Sequence, residues 1–221
     1  MKLELRDSFF NELYNIIRND KNVILLSGDL GSFGVDKIKK DFPEQYINTG
    51  ISEQSTIGVA AGLARSGKKV FIYNITSFSV LRCFEQIKLD ICYSSLPITI
   101  IGMGSGFLYG ADGPSHHAID DVTLMRALPE IEIYNPVDEL TSFLSAQISY
   151  KSRSPSYIRL EKGIYDQFSE GPINDGYSSF QKGDISVLST GLLSHHLKNV
   201  VKRVFEETGI VVGLINIFRV K

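Results

Sequence analysis

Glu53 stands where a chain can hold a carboxylate in one fixed place. It follows Asn48-Thr49-Gly50-Ile51-Ser52, which reads as a tight loop breaking into a helix. Gly50 can take the backbone through a conformation closed to other residues. Ser52 is a favoured N-cap, so Glu53 falls at the first helical position, where the helix dipole favours negative charge. The helix behind it is small-sided at Gly58, Ala60, Ala61, Gly62 and Ala64, which lets another backbone or a ligand come close. These residues alone fit equally an ordinary capped helix with an acidic first turn. A second concentration of interest is the glycine-dense loop carrying Gly102, Gly104, Gly106, Gly110 and Gly113, which ends in His116 and His117. Long loops in compact domains are usually functional. This one lacks the spacing of a phosphate loop or a dinucleotide fingerprint. His195 and His196 read as surface residues, and with no H-x-H or H-x-x-x-H pair no metal-ligand set is expected in this chain.

The elements around these residues alternate. An amphipathic helix over 5–19 carries Phe9, Leu13, Ile16 and Ile17 on one face and Asn11, Glu12, Asn15 and Arg18 on the other. Val23 to Ser27 is a continuous apolar run, the mark of a parallel strand buried on both faces. Gly28-Asp29-Leu30-Gly31 follows at its C-terminal end, where open α/β sheets bind ligands. Asp29 there reads equally as a ligand contact or as a turn residue. Further strands are expected at 46–48, 69–74, 97–102, 132–135 and 156–160, with helices near 36–40, 53–65, 77–94, 120–127 and 137–150. The fold expected is α/β, a doubly wound and mostly parallel sheet over residues 1–163. Residues 164–183 read as a linker, and 184–221 as a β-α-β unit, the start of a smaller α/β domain.

Composition narrows the class. With 221 residues, 43% hydrophobic and 22% charged, the chain is ordinary globular material. A formal net charge of −2 without a basic cluster argues against a nucleic-acid partner. Cys83 and Cys92, nine apart, are neither a metal knuckle nor a redox pair and read as reduced core thiols. No run approaches the roughly 18 apolar residues of a membrane span, and the charged start Lys2-Leu3-Glu4-Leu5-Arg6 is not a signal peptide. A cytoplasmic protein without membrane or nucleic-acid contacts is expected.

Three segments carry a resemblance. Gly50-Ile51-Ser52-Glu53-Gln54 resembles the motif that holds the cofactor-activating glutamate of transketolases and related thiamine-diphosphate enzymes. Arg82-Cys83-Phe84-Glu85-Gln86-Ile87 is similar to the family's intervening helix, and Tyr109-Gly110-Ala111-Asp112-Gly113-Pro114-Ser115-His116-His117 to its substrate-side loop. The three keep the family's order and compatible spacing, and the resemblance covers roughly residues 5 to 165.

The resemblance implies a transferase moving a two-carbon ketol unit between sugars, with thiamine diphosphate supplying the carbon chemistry. It implies that Glu53 bonds to a ring nitrogen of the pyrimidine and favours its activated tautomer, that Leu30, Phe78 and Arg82 line the cofactor, and that Asp112 and His116 contact sugar hydroxyls near the reacting carbon. Histidine suits that place, since it can donate to a hydroxyl and carry a proton near neutral pH. Two departures are visible. The family's stacking aromatics fall at Thr76 and Ser79, with Phe78 one residue off, so either the turn is shifted or the pyrimidine is held otherwise. The sugar-phosphate histidine falls at about Gly104 and the phosphate arginine at Lys162, with Arg159 three residues before it, which points to a specialised sugar.

No Gly-Asp-Gly occurs in the chain. The resemblance therefore implies a second polypeptide holding the diphosphate and its magnesium or calcium ion, in a split transketolase that also self-associates. A deoxyxylulose-phosphate-synthase-like chain, a 2-oxoacid dehydrogenase β-like subunit and a non-catalytic α/β binding protein are the alternatives. The Arg82 to Gln86 segment fits split transketolases better.

Overall fold

Every residue of the strand Val23–Ser27 (β1) is buried, and its side chains divide by parity between two cores. The computed structural model describes residues 2–168, 173 and 176–221. Val23 and Leu25 join one cluster with Phe9, Leu13, Ile17 and Val35; Ile24 and Leu26 join another with Ile57, Val80, Ile87 and Met125. Period-two alternation with both faces apolar is what a sheet sandwiched between helices requires.

The other strands of that sheet are Tyr46–Asn48 (β2), Lys69–Ile75 (β3), Ile98–Met103 (β4), Glu132–Tyr134 (β5) and Ser156–Leu160 (β6). Their order is β2-β1-β3-β4-β6-β5, with every pair parallel. Helices Leu5–Asn19 (α1), Phe33–Asp41 (α2) and Glu139–Lys151 (α6) cover one face, and Glu53–Arg65 (α3) and Asp121–Ala127 (α5) the other. The doubly wound expectation holds. The winding reverses between β1 and β3, so the C-terminal ends of those strands are the crevice in which such sheets bind ligands. Glu12, expected on the polar face of α1, is instead buried. It lies under α6, where Gln147 Nε2 donates to its Oε1 at 2.9 Å.

The stretch 77–94 is not one regular helix. It is π-helical over Ser77–Leu81, turns at Arg82 and Cys83, makes one α-turn at Phe84–Gln86 (α4), and is π-helical again over Ile87–Cys92. Wide turns shift the phase of the side chains. Ile87 and Ile91 stay buried, but Leu89, expected on the apolar face, is 48% exposed.

Beyond the main sheet, Tyr177–Gln181 (β7), Ile185–Ser189 (β8), Leu193–Thr208 (α7) and Val212–Ile217 (β9) form a small mixed sheet of order β7-β9-β8 with its helix. The β8-α7-β9 unit matches expectation; β7 lies inside the stretch read as linker and pairs antiparallel with β9. Its sequence, Tyr-Ser-Ser-Phe-Gln, is too polar to signal a strand. Gly171 and Pro172, counted toward that linker, lie outside the described residues. His195 is not a surface residue: its Nε2 donates to the Val137 carbonyl at 2.8 Å and its ring stacks on Tyr165 at 5.0 Å. Burial lowers its pKa. No helix among the described residues is long and apolar enough to cross a membrane.

Candidate active site

Three strand ends meet around Glu53. A side chain at Gly28, just after β1, would collide with the Asn74 amide of β3 and approach the Gly50 carbonyl to 3.3 Å. The loop after β2 is tied to β1 through Thr49, whose backbone N–H donates to the Ser27 carbonyl at 2.9 Å. Its hydroxyl lies 2.7 Å from that of Thr56 in α3. Gly50 turns the chain at φ +68°. α3 then starts at Glu53, as its sequence predicts, but Ser52 does not cap it with its side chain. Its hydroxyl instead donates back to the Thr49 carbonyl at 2.6 Å, closing the loop. Asp29 lies in the bend after β1 at φ +60°, and its side chain accepts from Asn48 Nδ2 at 3.2 Å.

The Glu53 side chain is 4% exposed, and Arg82 Nη1 donates to its Oε2 at 2.8 Å. Its Oε1 has no hydrogen-bond partner among the described residues. Gln54 Nε2 in turn donates to the Arg82 carbonyl at 3.1 Å, linking the start of α3 to the π-helical segment. The Arg82 guanidinium lies 4.7 Å from the centre of the Phe78 ring, within cation–π range. The His116 ring meets Phe78 edge-on at 4.9 Å. Glu53, Arg82, Phe78 and His116 are therefore one connected group. Thr76 and Ser79 are buried in the fold, while Phe78 is only partly so. Phe78 lies in the π-helical segment Ser77–Leu81, with its ring against Arg82.

Around His116, the Ser115 hydroxyl lies 3.0 Å from Nδ1, and Tyr109 meets the ring at 6.1 Å. His117 packs separately, on Phe107 at 4.9 Å. Asp112 is exposed on the turn Gly110–Asp112. Lys162 is exposed, with Nζ 5.4 Å from the centre of the Tyr109 ring. Leu30, just past the end of β1, packs against the α1-side core, and its carbonyl accepts from the Ser27 hydroxyl at 2.8 Å. Arg159 is held by Asp121 at 2.8 Å, and Tyr157 donates to the same carboxylate oxygen at 2.6 Å, so it braces α5 against β6. Tyr109 is the residue that sequence reasoning passed over. Its one signal was a glycine at 104, five residues earlier, where the family has a histidine.

Residues 1–167 match the family model "Transketolase, pyrimidine binding domain". The chain belongs to that family. It is 31% identical over 198 residues to one of the subunits of an apulose-4-phosphate transketolase from Phocaeicola vulgatus, covering 86% of this chain and 63% of the relative. The corresponding protein of Actinobacillus succinogenes is 38% identical over 154 residues, 69% of this chain and 47% of the relative. The chain thus spans about half to two-thirds of the length of these relatives. A solved structure described as a split-gene transketolase, an inactive β4 tetramer, superposes with a TM-score of 0.84 at 27% identity, over 98% of this chain and 71% of that one.

The family implies thiamine diphosphate, and the residues here fit its pyrimidine end. A buried carboxylate with one oxygen unpartnered can meet a ring nitrogen, and Phe78 offers an aromatic surface beside it. No cluster of three or more His, Cys, Asp or Glu able to hold a metal ion occurs among the described residues.

Proposed function

We propose that the chain is the pyrimidine-binding subunit of a split transketolase and transfers a two-carbon ketol unit between sugars together with a second polypeptide. The observation that carries this reading is Glu53: buried, fixed by Arg82 through one oxygen, open at the other, and joined through Phe78 to His116. When bound, thiamine diphosphate supplies the carbon nucleophile. Glu53 Oε1 would share a proton with the pyrimidine ring nitrogen, Arg82 holds that carboxylate in place, and Phe78 would offer the ring an aromatic face. His116 and Asp112 bond the sugar hydroxyls, His116 passing a proton where the carbonyl oxygen gains or loses one. Leu30 borders the cofactor from the end of β1. Lys162 faces the far end of the sugar.

The partner carries the diphosphate site and its divalent cation, because this chain has no Gly-Asp-Gly run. On α3, side chains added at Gly58 and Gly62 would meet nothing within 4 Å, and this open face favours self-association of the chain. We divide the chain into a pyrimidine-binding domain over 1–163 and a smaller unit that takes in β7 together with 184–221, and place it in the cytoplasm. Because the two relatives described above are named for a sugar phosphate, a sugar phosphate is the substrate class inferred.

The test is reconstitution. Mixing the chain with a partner subunit, thiamine diphosphate and magnesium should yield two-carbon transfer that neither chain gives alone. Micromolar cofactor binding by this chain alone would count against the split site.

A further inference from the structure

The glycine loop is built around a contact that the sequence alone does not show. Gly104 follows β4 with φ +88°, and a Cβ there would collide with the Cδ2–Cε2 edge of the Tyr109 ring. The ring of Tyr109 thus occupies the space that a side chain at 104 would fill. It stands beside His116 on one hand, at 6.1 Å, and beneath Lys162 on the other, at 5.4 Å. Lys162 makes no ion pair among the described residues, and the Tyr109 hydroxyl makes no hydrogen bond among them. The other cation acting on Tyr109, Arg6, is already engaged by Asp7 at 3.2 Å and Glu4 at 3.5 Å. An exposed ammonium over an aromatic ring is a donor for a singly placed anion, and the phenol of that ring is free to add a second.

Resting on the transketolase reading above, we propose that Tyr109 is a specificity-determining residue: its ring positions Lys162 and its hydroxyl donates beside it, so that the two receive the terminal phosphate of the sugar. Cation–π contact holds the flexible lysine stem in one direction. Burial and the nearby Asp112 raise the phenol pKa, so the hydroxyl keeps its proton and stays a donor through the neutral range. Asp112 disfavours an anion on its own side of the ring, which leaves the Lys162 side for the phosphate. Gly104 is required because no other residue leaves room for the ring.

The experiment uses the assembled enzyme with its partner subunit and compares D-glyceraldehyde 3-phosphate with D-glyceraldehyde as acceptors. Tyr109→Ala should lower the ratio of their kcat/KM values by about tenfold, through KM for the phosphorylated acceptor, the scale of one lost cation–π and hydrogen-bond contact. Tyr109→Phe, which keeps the ring, should recover at least half of that loss on a logarithmic scale. Lys162→Ala combined with Tyr109→Ala should cost little more than Lys162→Ala alone. Inorganic phosphate binding to the same complex, followed by phosphorus NMR titration, should weaken in parallel. That titration needs no turnover, so it judges the inference even if two-carbon transfer is absent. An unchanged acceptor ratio, or equal phosphate affinity in wild type and Tyr109→Ala, would overturn the inference; a loss equal for both acceptors would make Tyr109 structural. Absence of transfer with any acceptor in the wild-type complex, alongside phosphate binding that depends on Tyr109, would instead count against the transketolase reading.

Discussion

Arg82 Nη1 donates to Glu53 Oε2 at 2.8 Å, across 29 positions of sequence, and leaves Oε1 of the same carboxylate without a hydrogen bond. The arginine is half-exposed and the glutamate almost wholly buried. One oxygen therefore serves orientation and the other is left for a ligand. Both sides of the pair depend on an irregular element: a left-handed glycine, Gly50, leads into α3, and Arg82 sits between two π-helical segments.

Glu53→Gln tests the ligand side. Glutamine keeps the volume and can still bond to Arg82 through its carbonyl oxygen, so folding and assembly should be nearly unchanged. It cannot share a proton with a ring nitrogen as the acid does. Hydrogen–deuterium exchange at the thiazolium carbon of the loaded complex should slow by about 10²–10⁴-fold, the usual worth of a positioned acid–base group. A carboxylate that merely complements the helix dipole would cost at most about 1 kcal/mol of stability and leave exchange unaltered.

Arg82→Met tests the orienting side. The variant leaves a buried carboxylate without its donor, which destabilises the fold by the desolvation of that group. With Arg82 half in water the interaction is partly screened, so the expected loss is about 1–2 kcal/mol rather than the larger figure for a fully buried pair. The urea midpoint should fall accordingly. The double variant Glu53→Gln, Arg82→Met should recover part of the loss, and strictly additive effects would show that the two residues act independently.

How far this site was legible follows from what each signal encodes. Glu53 was visible because a glycine, a serine and an acid before an apolar helix mark a helix start locally. The parallel sheet was visible because a strand buried on both faces is apolar throughout, as Val23 to Ser27 shows. Phe78 was ambiguous, since a π-turn is a matter of hydrogen-bond register, which side-chain pattern does not record. Tyr109 was hidden because its role depends on what it packs against, Gly104 beneath and Lys162 above. Glu12 misled for the same reason: α1 is covered by α6 on its nominally polar side, and only the partner Gln147 reveals it. The strand β7 needed β9, some 35 residues later, to exist at all.

Asp112→Ala and His116→Ala should separate substrate handling from cofactor handling. Neither residue touches Glu53, and Asp112 is exposed on the loop turn. Each variant should lower kcat/KM for sugar transfer by about 10²-fold while the affinity for thiamine diphosphate stays within about threefold. His116 also packs on Phe78, so His116→Ala should show the larger cofactor effect of the two. Wild-type rates at saturating sugar in both variants would make the loop structural.

Lys69 gives a prediction about stability that is independent of the site. At the start of β3 its Nζ donates to the Ser152 carbonyl at 2.9 Å, and burial lowers its pKa to about 8, with only Glu132 opposing the shift. A lysine whose folded pKa lies below its unfolded value of 10.5 is charged in both states under neutral conditions, and there the fold bears the cost of burying the charge. As pH rises through about 8, the folded protein releases the proton while the unfolded chain still holds it. The unfolded state then binds more protons, so this group's contribution becomes more stabilising up to about pH 10.5. The thiols work in the opposite sense: burial pushes Cys83 up to about 12 and Cys92 up to about 11, so above pH 9 only the unfolded chain ionises them and stability falls. The wild-type curve mixes these effects, and the difference from Lys69→Met isolates the lysine. At pH 7 the methionine variant should be more stable, by about 2 kcal/mol once the lost hydrogen bond to Ser152 is set against the relieved charge burial. That advantage should shrink steadily between about pH 8 and 10. Urea unfolding at several pH values reads it directly, and a constant difference across the range would show that Lys69 keeps an ordinary lysine pKa in the fold.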